Sequence, residues 1–227
     1  MSALNDLPIT IAGAGSVGCY IGARLAAAGR SVTLLTRPAL ATDIARHGLK
    51  CSDLDGHNIE IGPERLTLST NPAEALAGAK LILVTVKSHD TDKMAALIAE
   101  HADTDAIALS LQNGVCNAKV LRQHLGADRV VDAMVPFNVV QNRPADAGPR
   151  FHRASGGVVL IEKTASGIRS VLEVPNMPVE EHDDIEAVLW GKLLVNLNNG
   201  LNALSGLPIV EQFGDRRLAR ARGPAAR

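Results

Sequence analysis

Short apolar runs alternate with helical patterns along most of the chain. The first run, PITIA, leads through a glycine-rich turn into an alanine-rich helix that ends at Gly29, and RSVTLLTR is typical of a second strand. A strand, a helix and a second strand in this order form a βαβ unit. Because such units wind right-handedly, the pattern predicts a parallel sheet flanked by helices.

The alternation continues through the middle of the chain. Pro38 begins a helix that extends to about His47. The stretch after it alternates loosely around an Asp-Gly turn signal at residues 55 and 56, which predicts irregular strands or a hairpin. NPAEALAG predicts a short helix with Asn71 as its N-cap and Pro72 in its first turn.

The apolar run AKLILVTVK is typical of a central strand that is buried on both faces. Helices over residues 92–101 and 115–125 are expected to alternate with the strands AIALSLQ and RVVDAMV. Together these elements predict an α/β fold built on a doubly wound parallel sheet.

Composition excludes several classes of protein. The chain has 227 residues, of which 46% are hydrophobic, and a formal net charge of -1, so it can bury a full core and has no global field that attracts nucleic acid. The three cysteines include no CxxC pair, and the histidines are too scattered for metal ligation. The first residues carry an acidic residue where a signal peptide needs basic ones, so we expect no signal peptide, and no apolar run reaches the length of a membrane span. We therefore expect a cytoplasmic protein without a metal, a membrane or a nucleic-acid partner.

The turn after the first strand has the sequence GAGSVG, in which Gly13, Gly15 and Gly18 have G-x-G-x-x-G spacing. The first glycine permits a tight turn, the second lets backbone approach a pyrophosphate, and the third allows close packing of helix and strand. Between a strand and a helix this motif predicts a Rossmann-type dinucleotide site, although purely structural glycine turns can share the spacing. The residues predicted to bind the cofactor here are Gly13, Ala14, Gly15, Ser16, Val17 and Gly18.

The end of the second strand indicates which dinucleotide is bound. NAD-specific sites usually place an acidic residue there, whereas this chain has Thr36 and Arg37, a hydroxyl and a guanidinium suited to a 2′-phosphate. These residues favour NADPH. Alternatively, Arg37 is a solvated arginine at the start of a helix.

Two polar residues follow central strands. Lys87 ends LILVTVK, and Asn113 follows AIALSLQ. Either residue alone could be an ordinary strand end or turn, but in a doubly wound sheet both would lie at the edge that carries the glycine turn. We therefore expect Lys87 and Asn113 to line a ligand crevice.

After residue 142 the regular alternation of strands and helices ends. QNRPADAGPR predicts a loop, GGVVLIE a strand, TASGIRSVLE a short helix and NMPVEEH an edge strand, and a longer helix begins at about Asp183. We divide the chain into an NADPH-binding Rossmann domain (residues 1–180), the start of an all-helical domain (181–213) and a disordered basic tail (214–227).

The longer helix contains LWGKLLVNLNNG, in which Lys192, Asn196 and Asn199 fall within an arc of roughly 60°. This stripe can present an ammonium group and neutral amides to an oxygen-rich ligand. Alternatively, it is the exposed stripe of an amphipathic helix.

GAGSVG, VTVKSHD, LQNGV and LWGKLLVNLNNGLNALSG, in that order over about residues 9–207, resemble the ketopantoate reductase family. The resemblance implies an oxidoreductase that uses NADPH to reduce 2-dehydropantoate to pantoate in pantothenate and coenzyme A biosynthesis. It implies that the helical part over residues 181–213 is the start of the substrate and catalytic domain. It also implies that Arg37 contacts NADPH, that Lys87 and Asn113 line the cofactor and substrate crevice, that Lys192 donates the proton and that Asn196 binds the 2-keto acid.

The sequence departs from the family pattern at two places. Gly200 stands where the family commonly has a second asparagine, so Asn199 is expected to substitute for it. After about Phe213 the likeness ends, which suggests a truncated or frame-shifted product whose uncovered apolar surface would favour association, a homodimer included. Two alternatives therefore stay open: a reductase of another 2-keto acid, and a non-catalytic remnant that binds NADPH.

Overall fold

Two β-sheets form the framework of the molecule. The computed structural model describes residues 7–144, 147–163 and 167–206, apart from the side chains of residues 198 and 200–202. The strands are β1 (Ile9–Ala12), β2 (Val32–Leu35), β3 (Leu49–Asp53), β4 (Asn58–Ile61), β5 (Thr67–Ser69), β6 (Leu81–Val84), β7 (Ile107–Ser110), β8 (Val130–Met134), β9 (Val139–Asn142), β10 (Arg150–Arg153), β11 (Val159–Glu162) and β12 (Val179–His182).

Helices connect most of these strands. They are α1 (Ser16–Ala27), α2 (Pro38–His47), α3 (Pro72–Leu76), α4 (Thr91–His101), α5 (Asn117–Leu125), α6 (Ile168–Leu172) and α7 (Ile185–Ser205), with short 3-10 turns at Pro63–Arg65, Ser88–Asp90 and Ala127–Arg129. Asn71 caps α3 as predicted, because its side chain accepts a hydrogen bond from the backbone N–H of Ala73 at 3.0 Å.

The large sheet has eight strands in the order β12-β11-β8-β7-β6-β1-β2-β5. The run from β8 to β5 is parallel, and chain order reverses between β1 and β6, which confirms the predicted doubly wound α/β fold. Beyond β8 the sheet has two further strands that run in the opposite direction, because β11 pairs antiparallel with β8, and β12 pairs parallel with β11.

Side chains that alternate along β1 enter two apolar cores. Ile9 and Ile11 belong to the core that includes α1 and the small sheet, whereas Ala12 belongs to the core beneath α3, α4 and α5. Thr10 points to the second side, where its buried hydroxyl donates to the carbonyl oxygen of Ala75 at 2.7 Å. β1 is therefore covered on both faces, as is typical of strands in the middle of a parallel sheet.

The small sheet has the order β4-β3-β10-β9 and packs on the opposite side of α1 from the large sheet. The β3–β4 hairpin matches the predicted hairpin, and its turn glycine, Gly56, has a φ of 83°. The loop predicted over QNRPADAGPR was wrong at both ends, because β9 extends to Asn142 and β10 begins at Arg150. These residues gain their pairing from β3, which is distant in sequence.

Helix α1 is enclosed between the two sheets and carries a buried ion pair to the small one. Arg24 donates to Asp53 in β3 at 2.6 Å and to the Tyr20 hydroxyl at 3.0 Å. The side chains of Arg24 and Asp53 are 4% and 1% exposed. Burial raises the pKa of Asp53, but hydrogen bonds from His57 and the charges of Arg24 and His57 outweigh it, so that the pKa is lowered.

Helix α7 spans 21 residues and packs against β8 and β11. Ile185 and Leu189 in its first turns are buried against the sheet. Among the described residues, none of the helices combines the length and the apolar character that crossing a membrane requires.

Candidate functional site

The ends of the central parallel strands lie level at one edge of the large sheet, which we call the carboxyl edge. Ala12 pairs with Leu35 on one side and with Val84 on the other, and Val84 pairs with Ser110. Ligand crevices in open α/β sheets lie at this edge, where the strand order reverses. The register brings together the predicted glycine turn, Arg37, Lys87 and Asn113.

The glycine turn, residues 13–18, is hereafter the glycine loop. Gly13 has a φ of 87°, and its backbone N–H and that of Ala14 both donate to the carbonyl oxygen of Leu35, at 3.2 and 2.8 Å. Two hydroxyls brace the loop from neighbouring strands: Thr36 donates to the carbonyl oxygen of Ala14 at 2.9 Å, and Thr85 to that of Gly13 at 2.9 Å. The loop is therefore fixed to both β2 and β6.

The three motif glycines have different surroundings. A Cβ at Gly13 would lie 2.2 Å from Val86 Cγ1, and one at Gly18 would lie 2.5 Å from the hydroxyl of Thr85. A Cβ at Gly15 would meet only a backbone oxygen at 3.9 Å. Gly13 and Gly18 are thus required by packing within the protein, whereas the space over Gly15 is open toward solvent.

The N-terminus of α1 begins directly behind this open space. No side chain caps the helix at Gly15, and its first turn contains no acidic residue. The N–H groups of a first turn have no partners within the helix and carry a positive partial charge. A dinucleotide pyrophosphate fits this arrangement, because it supplies negative oxygens where the loop leaves room.

Arg37 follows β2 at the same edge and is exposed. Within the described ranges, no carboxylate or carbonyl oxygen pairs with its guanidinium group. Thr36 was expected, with Arg37, to suit a 2′-phosphate, but it donates its hydroxyl hydrogen to the glycine loop instead.

Lys87 and Asn113 lie in the neighbouring loops after β6 and β7, and both are exposed. A hydrogen bond joins the loops, because the hydroxyl of Ser88 donates to the carbonyl oxygen of Asn113 at 3.1 Å. Beneath them lies a buried polar network of Thr91, Gln112 and Asn117. Sequence reasoning missed this network, because its members are spread over one loop and two helices.

Lys192 lies on α7 beside the end of β8, which brings it to the carboxyl edge of the sheet. Its ammonium group donates to the backbone oxygen of Val135, the residue after β8. Burial lowers the pKa of Lys192 below its ordinary value. The side chain thus keeps a polar contact while it is partly withdrawn from water.

The polar stripe of α7, formed by Lys192, Asn196 and Asn199, lies on the side of the helix that faces the sheet. Lys192 and Asn196 lie within roughly 60° of the buried Leu189 around the helix axis, at 100° per residue. Lys192 and Asn196 are half-buried, and Asn199 one turn further is exposed. The exposed side of α7 is instead apolar, with Trp190, Leu194 and Leu197 49%, 59% and 64% exposed. The stripe is therefore not the solvent face of an ordinary amphipathic helix.

Two other polar clusters lie away from this edge. Asp53, Asp55 and His57 could each offer a metal ligand, but Asp53 already accepts from Arg24 and from the backbone N–H groups of residues 55 and 57. A cavity of about 460 Å³ lies beside the start of β8, away from the carboxyl edge of the sheet. Most of the side chains that line it are ionic, among them Arg122, Asp132, Glu162 and Glu186. Arg122 bridges Asp132 and Glu162 there, at 2.7 and 3.0 Å.

A family model described as "Ketopantoate reductase PanE/ApbA" matches residues 9–163 of the chain. The 2-dehydropantoate 2-reductase of Halobacterium salinarum is 28% identical over 228 residues, which cover 94% of this chain and 72% of that protein.

Solved structures show the same similarity. A PanE/ApbA family ketopantoate reductase from Ralstonia eutropha JMP134 has a TM-score of 0.81 and 32% identity, over 95% of this chain and 70% of that one. The 2-dehydropantoate 2-reductase of Geobacter metallireducens GS-15 has a TM-score of 0.80 and 25% identity, over 95% of this chain and 71% of that one.

Proposed function

Since the chain belongs to the ketopantoate reductase family PanE/ApbA, we propose that it reduces 2-dehydropantoate to pantoate with NADPH. Its relatives are oxidoreductases of the NAD(P)-dependent, Rossmann-type class. The observation that carries the proposal is the position of Lys192, a half-buried ammonium group on the sheet-facing side of α7 at the carboxyl edge. We also propose that the protein is cytoplasmic, because its three cysteines are free and free thiols are typical of a reducing compartment.

The glycine loop would hold the pyrophosphate of the cofactor. The open space over Gly15 and the uncapped first turn of α1 support this assignment, with Ala14, Ser16 and Val17 supplying backbone around the phosphates. Lys87 and Asn113 would line the crevice on the other side of the point where strand order reverses. The cofactor would supply a hydride for the keto carbon.

Arg37 would select NADPH over NADH. Its exposed guanidinium has no partner within the described part of the chain, so it is free to bind a 2′-phosphate. Arg37→Gln should weaken NADPH binding by about 10- to 100-fold and leave NADH binding unchanged. Arg46→Gln, on the exposed side of the same helix α2, is the matched control. Equal losses for both dinucleotides would contradict the assignment.

Lys192 would act as the proton donor for the reduced carbonyl. Negative charge develops on the carbonyl oxygen as the keto carbon is reduced, and a nearby ammonium group stabilises that charge before donating its proton. Burial makes Lys192 a stronger acid than a solvated lysine, which suits this step. Asn113, Asn196 and Asn199 would bind the substrate through their amide groups.

Kinetics of the purified chain test the proposal. Lys192→Ala should lower turnover of 2-dehydropantoate by about 10² to 10⁴ while NADPH affinity is retained. Lys119→Ala, which removes an exposed lysine from α5, is the control and should leave turnover unchanged. Unchanged turnover in Lys192→Ala would exclude Lys192 as the acid.

The two alternatives give different results in the same assay. Faster turnover of another 2-keto acid in a substrate panel would reassign the substrate within the family. Binding of NADPH without its oxidation by any 2-keto acid would identify a non-catalytic NADPH-binding protein. The exposed apolar side chains on α7 favour testing this outcome, because an exposed apolar surface of this kind indicates packing partners that the described part of the chain does not supply.

A further inference from the structure

We propose that a buried hydrogen-bond relay centred on Thr91 joins the loops after β6 and β7 into one rigid unit that positions Lys87 and Asn113 for the dinucleotide. This inference rests on the proposed function for its ligand, whereas the coupling of the two loops rests on the structure alone. Thr91, the first residue of α4, is 1% exposed, which leaves its hydroxyl dependent on protein partners.

Gln112 begins the relay on the side of β7. Its Nε2 donates to the hydroxyl of Thr91 at 2.7 Å and to the carbonyl oxygen of Val86 at 3.0 Å, so both hydrogens reach the loop after β6. Its Oε1 accepts from the hydroxyl of Ser110 at 3.3 Å. The amide orientation is fixed, because a flipped amide would place its oxygen against the oxygen of Val86.

Asn117 returns the relay to the loop after β7. The hydroxyl of Thr91 donates to Asn117 Oδ1 at 3.1 Å, and Asn117 Nδ2 donates to the carbonyl oxygen of Asn113 at 2.7 Å. Ser88 donates to the same carbonyl oxygen at 3.1 Å. The backbone of Asn113 is therefore held from both loops, and the backbone just before Lys87 is held by Gln112.

Each hydroxyl and amide group of this relay donates to an acceptor, and its central members are buried. Buried polar networks of this kind hold one arrangement, because any displacement leaves a desolvated group without a partner. The side chains of Lys87 and Asn113 are exposed, and within the described part of the chain neither makes a hydrogen bond or ion pair that would join the two loops. Thr91, Gln112 and Asn117 are positioning residues, since they act through the backbone of residues 86 and 113 and lie beneath the crevice.

The test compares Thr91→Val, which removes only the hydroxyl function, with Thr91→Ser, which retains it. Thr10→Val is the matched control, because Thr10 is another threonine, 2% exposed, whose hydroxyl donates to one carbonyl oxygen on the far side of β1. Hydrogen exchange is measured without ligand for peptides covering residues 85–92 and 111–118, and NADPH affinity is measured by fluorescence.

Thr91→Val should raise exchange about tenfold in both peptides together and weaken NADPH binding about tenfold, whereas Thr91→Ser should restore both. Thr10→Val should lower the midpoint of thermal unfolding about as much as Thr91→Val does, without changing the exchange of either peptide or the affinity for NADPH. If Thr91→Val does not fold, Gln112→Glu tests the same relay, because its second carboxylate oxygen would face the oxygen of Val86.

Faster exchange in only one loop, or in neither, would overturn the coupling. Coupled exchange with unchanged NADPH affinity would overturn the positioning role. Wild-type protein that binds no NADPH would instead overturn the proposed function together with the positioning role, while the exchange data would still decide the coupling.

Discussion

Gly15 and Gly18 belong to one motif but meet different surroundings, so the same substitution should have different effects. Gly15→Ala places its methyl group in open space, at a φ of -90° that alanine adopts freely. Gly18→Ala places it 2.5 Å from the hydroxyl of Thr85 and 2.8 Å from Ile11 Cγ2. The first change should obstruct a ligand, and the second should disturb the protein.

We therefore expect Gly15→Ala to keep the free energy of unfolding within about 0.5 kcal/mol of wild type and to weaken NADPH binding by more than tenfold. Gly18→Ala should lower the free energy of unfolding by about 1–3 kcal/mol through overpacking. Urea titration and fluorescence binding measure the two quantities. Retained affinity in Gly15→Ala would place the pyrophosphate elsewhere.

The pH dependence of turnover should report the lowered pKa of Lys192. Burial disfavours the ammonium form, so the pKa lies below the ordinary 10.5. An acid acts only while protonated, so turnover should be present below this pKa and should be lost as the pH rises through it. The rate profile should fall on its alkaline side before pH 10.5, and Lys192→Ala should remove this fall from the residual rate. An unaltered fall in the variant would assign the titration to another group.

Sequence predicted the exposed residues of the candidate site better than the residues that hold them. The spacing of the glycines, and the places of Lys87 and Asn113 after apolar strands, put them at one edge. The bracing hydroxyl of Thr85 and the relay around Thr91 carry no such signal, because their partners lie on other elements. The role of a buried polar side chain depends on the partners that the fold brings to it, which are not visible in consecutive residues.

At the scale of elements, the buried ion pair between Arg24 and Asp53 connects helix α1 with strand β3 of the small sheet. Asp53→Ala should lower the free energy of unfolding by about 3–5 kcal/mol, because it leaves Arg24 charged and buried. Chemical denaturation at neutral pH measures this loss. Arg169→Ala, which breaks an exposed pair on α6, should change it by no more than about 0.5 kcal/mol.

The contribution of this pair should also depend on pH. The pKa of Asp53 is lowered below its ordinary 3.8 in the folded protein, so its ionisation stabilises the fold above pH 3.8. That stability should be lost as the pH falls below 3.8 through the folded-state pKa. A loss on Asp53→Ala that is equally large at acid and neutral pH would contradict a charge-based role.

Elements with local signals were predicted from sequence, and those with distant partners were not. The buried run of β6 and the cap of α3 are visible in consecutive residues. β9 and β10 were missed because their pairing depends on β3. β11 was predicted as a strand, but its antiparallel direction was not, because strand direction is decided by its neighbour, β8. The predicted start of the last helix, at about Asp183, lies two residues before the observed Ile185.

At the scale of the whole molecule, α7 presents an apolar stripe of Trp190, Leu194 and Leu197 to solvent. These residues lie within roughly 60° of one another around the helix axis. We expect two copies of the chain to dimerise by packing their apolar stripes against each other. Sedimentation velocity should therefore show a fraction of dimer that increases with protein concentration. Leu194→Glu should shift the population to monomer, whereas Leu54→Glu, at the exposed hairpin tip, should not. A monomer at all concentrations would contradict the expectation.

The predicted division of the chain at residue 180 stays a prediction. Helix α7 begins after it and rests on β8 and β11, so the first turns of the second unit pack on the sheet of the first. The predicted end of the helical part over residues 207–213 and the basic tail over 214–227 lie outside the described residues.

The bracing of the glycine loop has a consequence for how the protein folds. Its carbonyl oxygens accept from Thr36 and Thr85, which lie 22 and 72 positions from their partners along the chain. Contacts of such sequence separation form only after the intervening chain has paid its loop-closure entropy. The loop therefore gains its shape only when β1, β2 and β6 are assembled. During refolding, NADPH binding should appear after helical and strand structure, as a marker of the completed central sheet.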